Sequence, residues 1–171
     1  MTHQLNFIYN DSDWICPAEY PDLSKATEIA IDLETKDPNI KTKGPGWATF
    51  DGHIVGFAVA ALGQQWYFPI AHDAGGNMDL AITTAWMQDV LKTDATKIFH
   101  NASYDVGWLL VNGFEIRGKI VDTMVAAAII NENRFSFSLN ACAKDYLGEI
   151  KNETFLNEKA KEWGIDPKAD M

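Results

Sequence analysis

Apolar and polar residues alternate with a period of two in the run Ile29-Ala30-Ile31-Asp32-Leu33-Glu34-Thr35. That pattern predicts a strand over about 27–35. Residues two apart in an extended chain share a face, roughly 6.6 Å from one another. Asp32 and Glu34 therefore project together, while Ile29, Ile31 and Leu33 bury the opposite side. Further on, His53–Leu62 and Gln65–Ile70 form two β-like runs, with Gly63-Gln64 as the hairpin signal between them. Residues 78–92 repeat apolar positions at helical spacing, with Ile82, Trp86 and Val90 on one stripe. A short strand is predicted at 96–100. A helix follows from about 102 and stops at Gly113. Ile116–Val121 reads as a last short strand. Asp122 is placed to cap an apolar helix over 123–130, and Ser138 to cap another ending at Gly148. Strands first, then strands alternating with helices, predict an α/β fold with a mixed sheet flanked by helices.

Between these elements, 36–52 reads as a long connection broken at Pro38 and at Gly44-Pro45-Gly46. A structureless loop of this length in a compact domain tends to be functional. Its lysines, Lys36, Lys41 and Lys43, read first as solvated loop charge. Residues 1–26 are polar, with Pro17 and Pro21, and read as an irregular opening segment. There is no repeat and no internal boundary, so the 171 residues are expected to form one domain.

Composition narrows the picture. Hydrophobic residues at 47% suffice for a core, and six Trp argue against disorder. Cys16 and Cys142 lie far apart, which suggests neither a disulfide framework nor a zinc cluster; a reducing cytoplasm fits best. The N-terminus lacks a basic start followed by an apolar stretch, and no run reaches membrane-span length, so no membrane partner is expected. The net charge of −10 counts against a free-standing nucleic-acid binder, which usually carries a basic face. It leaves room for an enzyme that meets phosphate through metal ions.

The chemistry lies in two constellations. Two neighbouring carboxylates repel, by on the order of 4 kcal/mol at about 4 Å and an effective dielectric near 20. A fold tolerates the pair when a cation lies between them or a proton is shared, and hard Mg²⁺ or Mn²⁺ suits all-oxygen ligands. The plain alternative is a strand whose polar face meets water. The second constellation, Phe99-His100-Asn101-Ala102-Ser103-Tyr104-Asp105, crosses from a strand end into a helix start, where α/β sheets bind ligands. Taken structurally, Asn101 is an N-cap and Asp105 a first-turn acid favoured by the helix dipole.

Together, D-x-E on a strand and N-x-x-Y-D after a later strand resemble the first two motifs of DEDD-type 3′→5′ exonucleases. The likeness is greatest to the proofreading domain of family A DNA polymerases. Asp32 and Glu34 match the first motif; Asn101, Tyr104 and Asp105 match the second. The segments after Ile120 and after Leu139 also resemble that family, while Gly44-Pro45-Gly46-Trp47 and Tyr67-Phe68-Pro69-Ile70 resemble its phage-type members. The resemblance covers roughly residues 27–150. It implies a ribonuclease H-like fold and hydrolysis with two divalent metal ions, Mg²⁺ or Mn²⁺, held by Asp32, Glu34 and Asp105 as metal and catalytic residues. The strand alternation and the position of Asp105 after a strand predict that these carboxyl groups converge on one pocket, and the resemblance implies that Thr35, Asn101 and Tyr104 contact substrate or support the ligands. The substrate would be a single-stranded DNA 3′ end, released as nucleoside 5′-monophosphates. The partner would be an attached polymerase domain, and the location the cytoplasm, a host's if the gene is a phage's.

The family's third motif, Tyr-x-x-x-Asp, does not follow Asp105 before Met171, so the exonuclease domain is expected to be cut short of it. Tyr9-x-x-x-Asp13 has the spacing but precedes the first motif. Asp122 reads better as a helix cap than as the missing ligand. His100-x-x-x-x-Asp105 matches the third motif of a related class, which would need Asp79 or Asp89 as an earlier ligand. Two other readings stay open: a ribonuclease D-like enzyme acting on RNA, and an exonuclease-fold scaffold supporting a polymerase.

Overall fold

The computed structural model describes residues 15–73 and 75–149, together with 158, 161, 162 and 164. Tyr9-x-x-x-Asp13 lies outside the described residues. Among the described residues, five strands form one mixed sheet: β1 (Glu28–Lys36), β2 (His53–Ala61), β3 (Gln64–Pro69), β4 (Thr96–Phe99) and β5 (Ile120–Asp122). Their order is β3-β2-β1-β4-β5, with β1 antiparallel to β2 and parallel to β4. The expected α/β architecture is therefore present. Among the described residues, no helix is long and apolar enough to cross a membrane.

Alternation in β1 sets the two faces of the sheet. Ile29, Ile31 and Leu33 join Phe57, Val59, Phe68 and Phe99 on the face covered by helices α3 (Leu80–Lys92) and α4 (Ala102–Val111), around Met87, Leu91, Trp108 and Leu109. The other face carries Ala30, Asp32 and Glu34, with Ala58, Ala60 and Tyr67 in register beside them. Helices α5 (Thr123–Ile130) and α6 (Leu139–Leu147) border it. A groove of about 920 Å³ runs over this second face, lined by Asp32, Ala60, Trp66 and Ile98, with Thr123 and Leu139 on its helical side.

Three local expectations need correction. The apolar stripe of α3 is displaced: Thr83, Met87, Val90 and Leu91 are buried, whereas Ile82 is 57% exposed. Thr83 can be buried because its hydroxyl donates to the Asp79 carbonyl (2.7 Å) and is met by Tyr20 Oη (2.7 Å). Residues 36–52 are not structureless: they hold two short helical turns, α1 (Ile40–Lys43) and α2 (Gly46–Thr49). Two of the loop's lysines form ion pairs there, Lys36 with Asp73 (2.6 Å) and Lys43 with Asp51 (3.7 Å). The last strand starts at Ile120, later than the predicted 116.

β4 also carries a fully buried charge. Lys97 Nζ donates to the carbonyl of Thr93, to Thr93 Oγ1 (3.1 Å) and to the carbonyl of Arg117 (2.9 Å). Three acceptors for three protons make this burial tolerable. They also tie the end of α3 to the segment that enters β5.

The β2–β3 turn is Leu62-Gly63, one residue earlier than the sequence suggested, and both residues have positive φ (53° and 74°). Such two-residue hairpin turns favour Asn-Gly, because a branched side chain is strained in the left-handed region. Leu62 is exposed, so its side chain gains little there. Leu62→Asn is therefore expected to stabilise the chain by about 0.5–1 kcal/mol in urea denaturation. A destabilised variant would mean that Leu62 makes apolar contacts outweighing the turn strain.

Candidate active site

The site is built where a parallel pairing ends. β4 pairs with β1 only over Glu28–Ala30, so the N–H of Leu33 has no strand partner on that side. Asp105, in the first turn of α4, fills the position: its Oδ1 accepts from Leu33 N at 3.1 Å. Asp105 is 3% exposed, whereas Asp32 and Glu34 on the same strand are exposed. Burial, followed by the charge of Asp32 and more weakly that of Glu34, raises the Asp105 carboxyl from 3.8 to about 7. The Leu33 bond works against the rise without cancelling it. Three acids thus interact at the end of β1.

They do not open together onto one pocket as expected. Asp32 lines the groove, while Asp105 is buried at the strand edge. Among the described residues, no three His, Cys, Asp or Glu side chains are grouped closely enough to hold one ion. The donor set is nonetheless all oxygen and repulsive, a combination that suits a hard divalent cation.

The remaining second-motif residues divide their roles. Asn101 opens α4 in the left-handed region (φ 68°) and makes no side-chain cap. Its exposed side chain instead accepts from Ser103 Oγ (3.2 Å). The cap comes from Asp122, which accepts from the N–H groups of Asn101 (3.1 Å) and Ala102 (2.8 Å) and from those of Met124 (2.8 Å) and Val125 (3.3 Å). One carboxylate therefore caps both α4 and α5. Burial would raise the Asp122 pKa, but these four donors outweigh it and hold it below the ordinary value. Tyr104 turns its hydroxyl inward, to Thr35 Oγ1 (2.8 Å) and Asp37 Oδ2 (2.9 Å).

His100 is engaged at both ring nitrogens, by Thr123 Oγ1 (2.9 Å) and the Phe137 carbonyl (3.0 Å), so it ties α5 and the segment before α6 to the sheet. Asp79 caps α3 by accepting from Ile82 N (2.9 Å). Neither supports the alternative His-type motif.

Sequence reasoning missed two neighbours of the acids. Tyr67 lies across Gly56, where a Cβ would come within 2.1 Å of its hydroxyl, and that hydroxyl bonds to His72. Burial and then the nearby Glu34 charge push its pKa up. Asp37 is 5% exposed and bonded to Tyr104, and no motif in the chain marks it.

A family model described as 3'-5' exonuclease matches residues 20–171. The chain belongs to this exonuclease family, that of pol I-like DNA polymerases. It is 33% identical over 172 residues to a DNA-directed DNA polymerase of Pseudomonas phage M6, covering 96% of this chain and 26% of that protein. To DNA polymerase DpoZ of Salmonella phage PMBT28 it is 29% identical over 149 residues, covering 86% of this chain and 21% of the other. The chain thus spans about a quarter of the length of the curated relatives it matches. Among solved structures, Brucella melitensis NrnC with bound Mg²⁺ superposes with a TM-score of 0.56 at 16% identity, over 88% of this chain and 62% of that one. The exonuclease fold here is accordingly ribonuclease H-like.

Two predictions follow from the acids. Between pH 3.8 and about 7 the folded chain keeps the Asp105 proton that the unfolded chain has released. The Asp105 contribution is therefore fully present below pH 3.8 and lost as pH rises to about 7. Asp105→Asn, whose amide oxygen can still accept from Leu33, removes this loss. In EDTA it should match wild type near about pH 4 and exceed it at about pH 8, by up to about 4 kcal/mol at about 1.4 kcal/mol per pKa unit. Parallel stability curves would exclude the acid cluster. Asp122→Ala, by contrast, should cost about 1 kcal/mol for each helix start it caps, read by urea denaturation. An unchanged stability would mean that neither cap holds its helix.

Proposed function

We propose that this chain is the 3′→5′ proofreading exonuclease region of a phage family A DNA polymerase, which hydrolyses single-stranded DNA 3′ ends to nucleoside 5′-monophosphates. The observation that carries the reading is Asp105, buried against the end of β1 beside two other acids and raised to about 7. Three mutually repelling carboxyl groups at a strand end cost stability that a binding cation would recover. DNA is favoured over RNA because both phage relatives are named DNA polymerases. Their greater length supports a polymerase region in the same polypeptide.

In this reading Asp32, Glu34 and Asp105 hold two divalent ions, Mg²⁺ or Mn²⁺, which supply charge stabilisation at the scissile phosphodiester. Asp32 stands at the margin of the groove, whose lining of Ala30, Ala60, Tyr67 and Ile98 suits apolar and sugar contacts with a frayed strand end rather than base readout. The exposed Asn101 amide is a donor for the substrate backbone. Tyr104 acts from behind, its hydroxyl being engaged by Thr35 and Asp37. Bound cations would offset the net charge of −10 as the strand approaches.

The test has two arms. Mn²⁺ at about a hundredfold excess over Kd adds about 2.7 kcal/mol to a fold that binds it only when folded. A rise of about 5–10 °C in melting temperature should follow for a chain of this size. Asp32→Asn should be at least as stable as wild type in EDTA yet gain little from Mn²⁺; equal gains would favour a scaffold without a site. Turnover is then measured on 5′-labelled DNA and RNA of matched sequence, with the chain extended by the coding sequence beyond Met171. Shortening from the 3′ end of DNA, lost in Asp32→Ala, is expected. Preference for RNA would point to a ribonuclease D-like enzyme.

A further inference from the structure

Asp37 belongs to neither motif, yet its carboxylate joins three separated pieces of the chain. Tyr104 O–H donates to Oδ2 at 2.9 Å, and the N–H of Gly46, at the start of α2, donates to the same oxygen at 2.8 Å. A phenol has one proton, so in the 2.8 Å contact between Tyr104 Oη and Thr35 Oγ1 the donor is Thr35. The bonds thus run in one direction, from Thr35 to Tyr104 to Asp37. Thr35 follows Glu34, and Tyr104 precedes Asp105. Between Glu34 and Thr35 the β1–β2 register slips by one residue, so the ladder alone does not fix this end of β1.

The 37–52 connection is keyed onto α4 by two reciprocal contacts. A Cβ at Gly46 would lie 2.8 Å from the Trp108 ring, and one at Gly107 would lie 2.4 Å from the Trp47 ring. Each glycine makes room for the other segment's tryptophan. The loop therefore presses on the helix that carries Asp105, and the Asp37 carboxylate links that contact to β1.

We propose that Asp37 is a positioning residue of the exonuclease site: through Tyr104 it holds the first turn of α4, and so Asp105, against the end of β1. The proposal rests on the exonuclease reading for its consequence in catalysis, but the positioning itself can be measured without turnover. α4 is held to β1 at two points, by the Asp105–Leu33 bond and by the Tyr104–Thr35–Asp37 chain. Loss of the second should loosen the first.

The experiment reads amide hydrogen exchange at Leu33 in wild type, Asp37→Ala, Asp37→Asn and Tyr104→Phe, with the Ile29 amide inside the β1–β4 pairing as internal reference. Asp37→Ala and Tyr104→Phe should each speed exchange at Leu33 by about tenfold, the factor carried by one hydrogen bond, and leave Ile29 unchanged. Asp37→Asn keeps an acceptor oxygen and should recover most of the protection. Mn²⁺ affinity should fall in parallel by about 10–100-fold in Asp37→Ala and Tyr104→Phe. Should Asp37→Ala fail to fold, Tyr104→Phe carries the test, since it keeps the ring that packs edge-on against Trp108. Unchanged Leu33 exchange in folded Tyr104→Phe overturns the proposal, whatever the metal does. Faster Leu33 exchange in a protein whose Mn²⁺ response ignores Asp32→Asn would keep the positioning role and sink the exonuclease reading alone.

Discussion

A parallel strand that stops early organises the candidate site: β4 accompanies β1 only to Ala30, and Leu33 is left with an N–H that no strand takes. A buried donor of this kind needs an acceptor. The fold supplies one from the next helix, and the acceptor is an acid. Had β4 run two residues further, the ladder would have satisfied Leu33, and Asp105 would have had no reason to be buried there. The same truncation lets the chain turn at Asn101 into α4, close enough to β1 for Tyr104 to reach Thr35. Backbone pairing and site geometry are therefore one feature.

The arrangement sets stability against chemistry. Removing Asp105 from water beside two acids is unfavourable, and the Leu33 bond recovers only part of the cost. Elsewhere the fold handles acids differently. Asp122 gains four backbone donors at two helix starts and stays well ionised. The contrast is between an acid held by four backbone donors and one whose carboxyl is pushed up by burial and by its acidic neighbours.

Much of this was legible in the chain. The strand carrying Asp32 and Glu34 announces itself by alternation, because a period of two has only one structural solution when one face is apolar. Asp122 and Ser138 were recognisable as caps because a cap is local: the acceptor lies within three residues of its donors. What escaped depends on distant residues. Asn101 looked like its own helix's cap, but Asp122 reaches that helix from 20 and 21 positions away. Thr83 displaced the stripe of α3 because its partner Tyr20 is 63 residues off. Asp37 carries no local signal for the same reason, Tyr104 being 67 residues away.

Lys97 has a practical consequence. Acylating reagents attack a neutral amine through its lone pair, and this amine has all three protons engaged by carbonyl and hydroxyl oxygens deep in the sheet. Presenting that lone pair requires separating the end of α3 from the approach to β5, which dismantles one side of the core. In a pulse of amine-directed labelling, surface lysines would report on solvent, whereas Lys97 would stay silent until the sheet opens. The chain thus carries its own clock for global unfolding, readable by mass spectrometry at a single peptide.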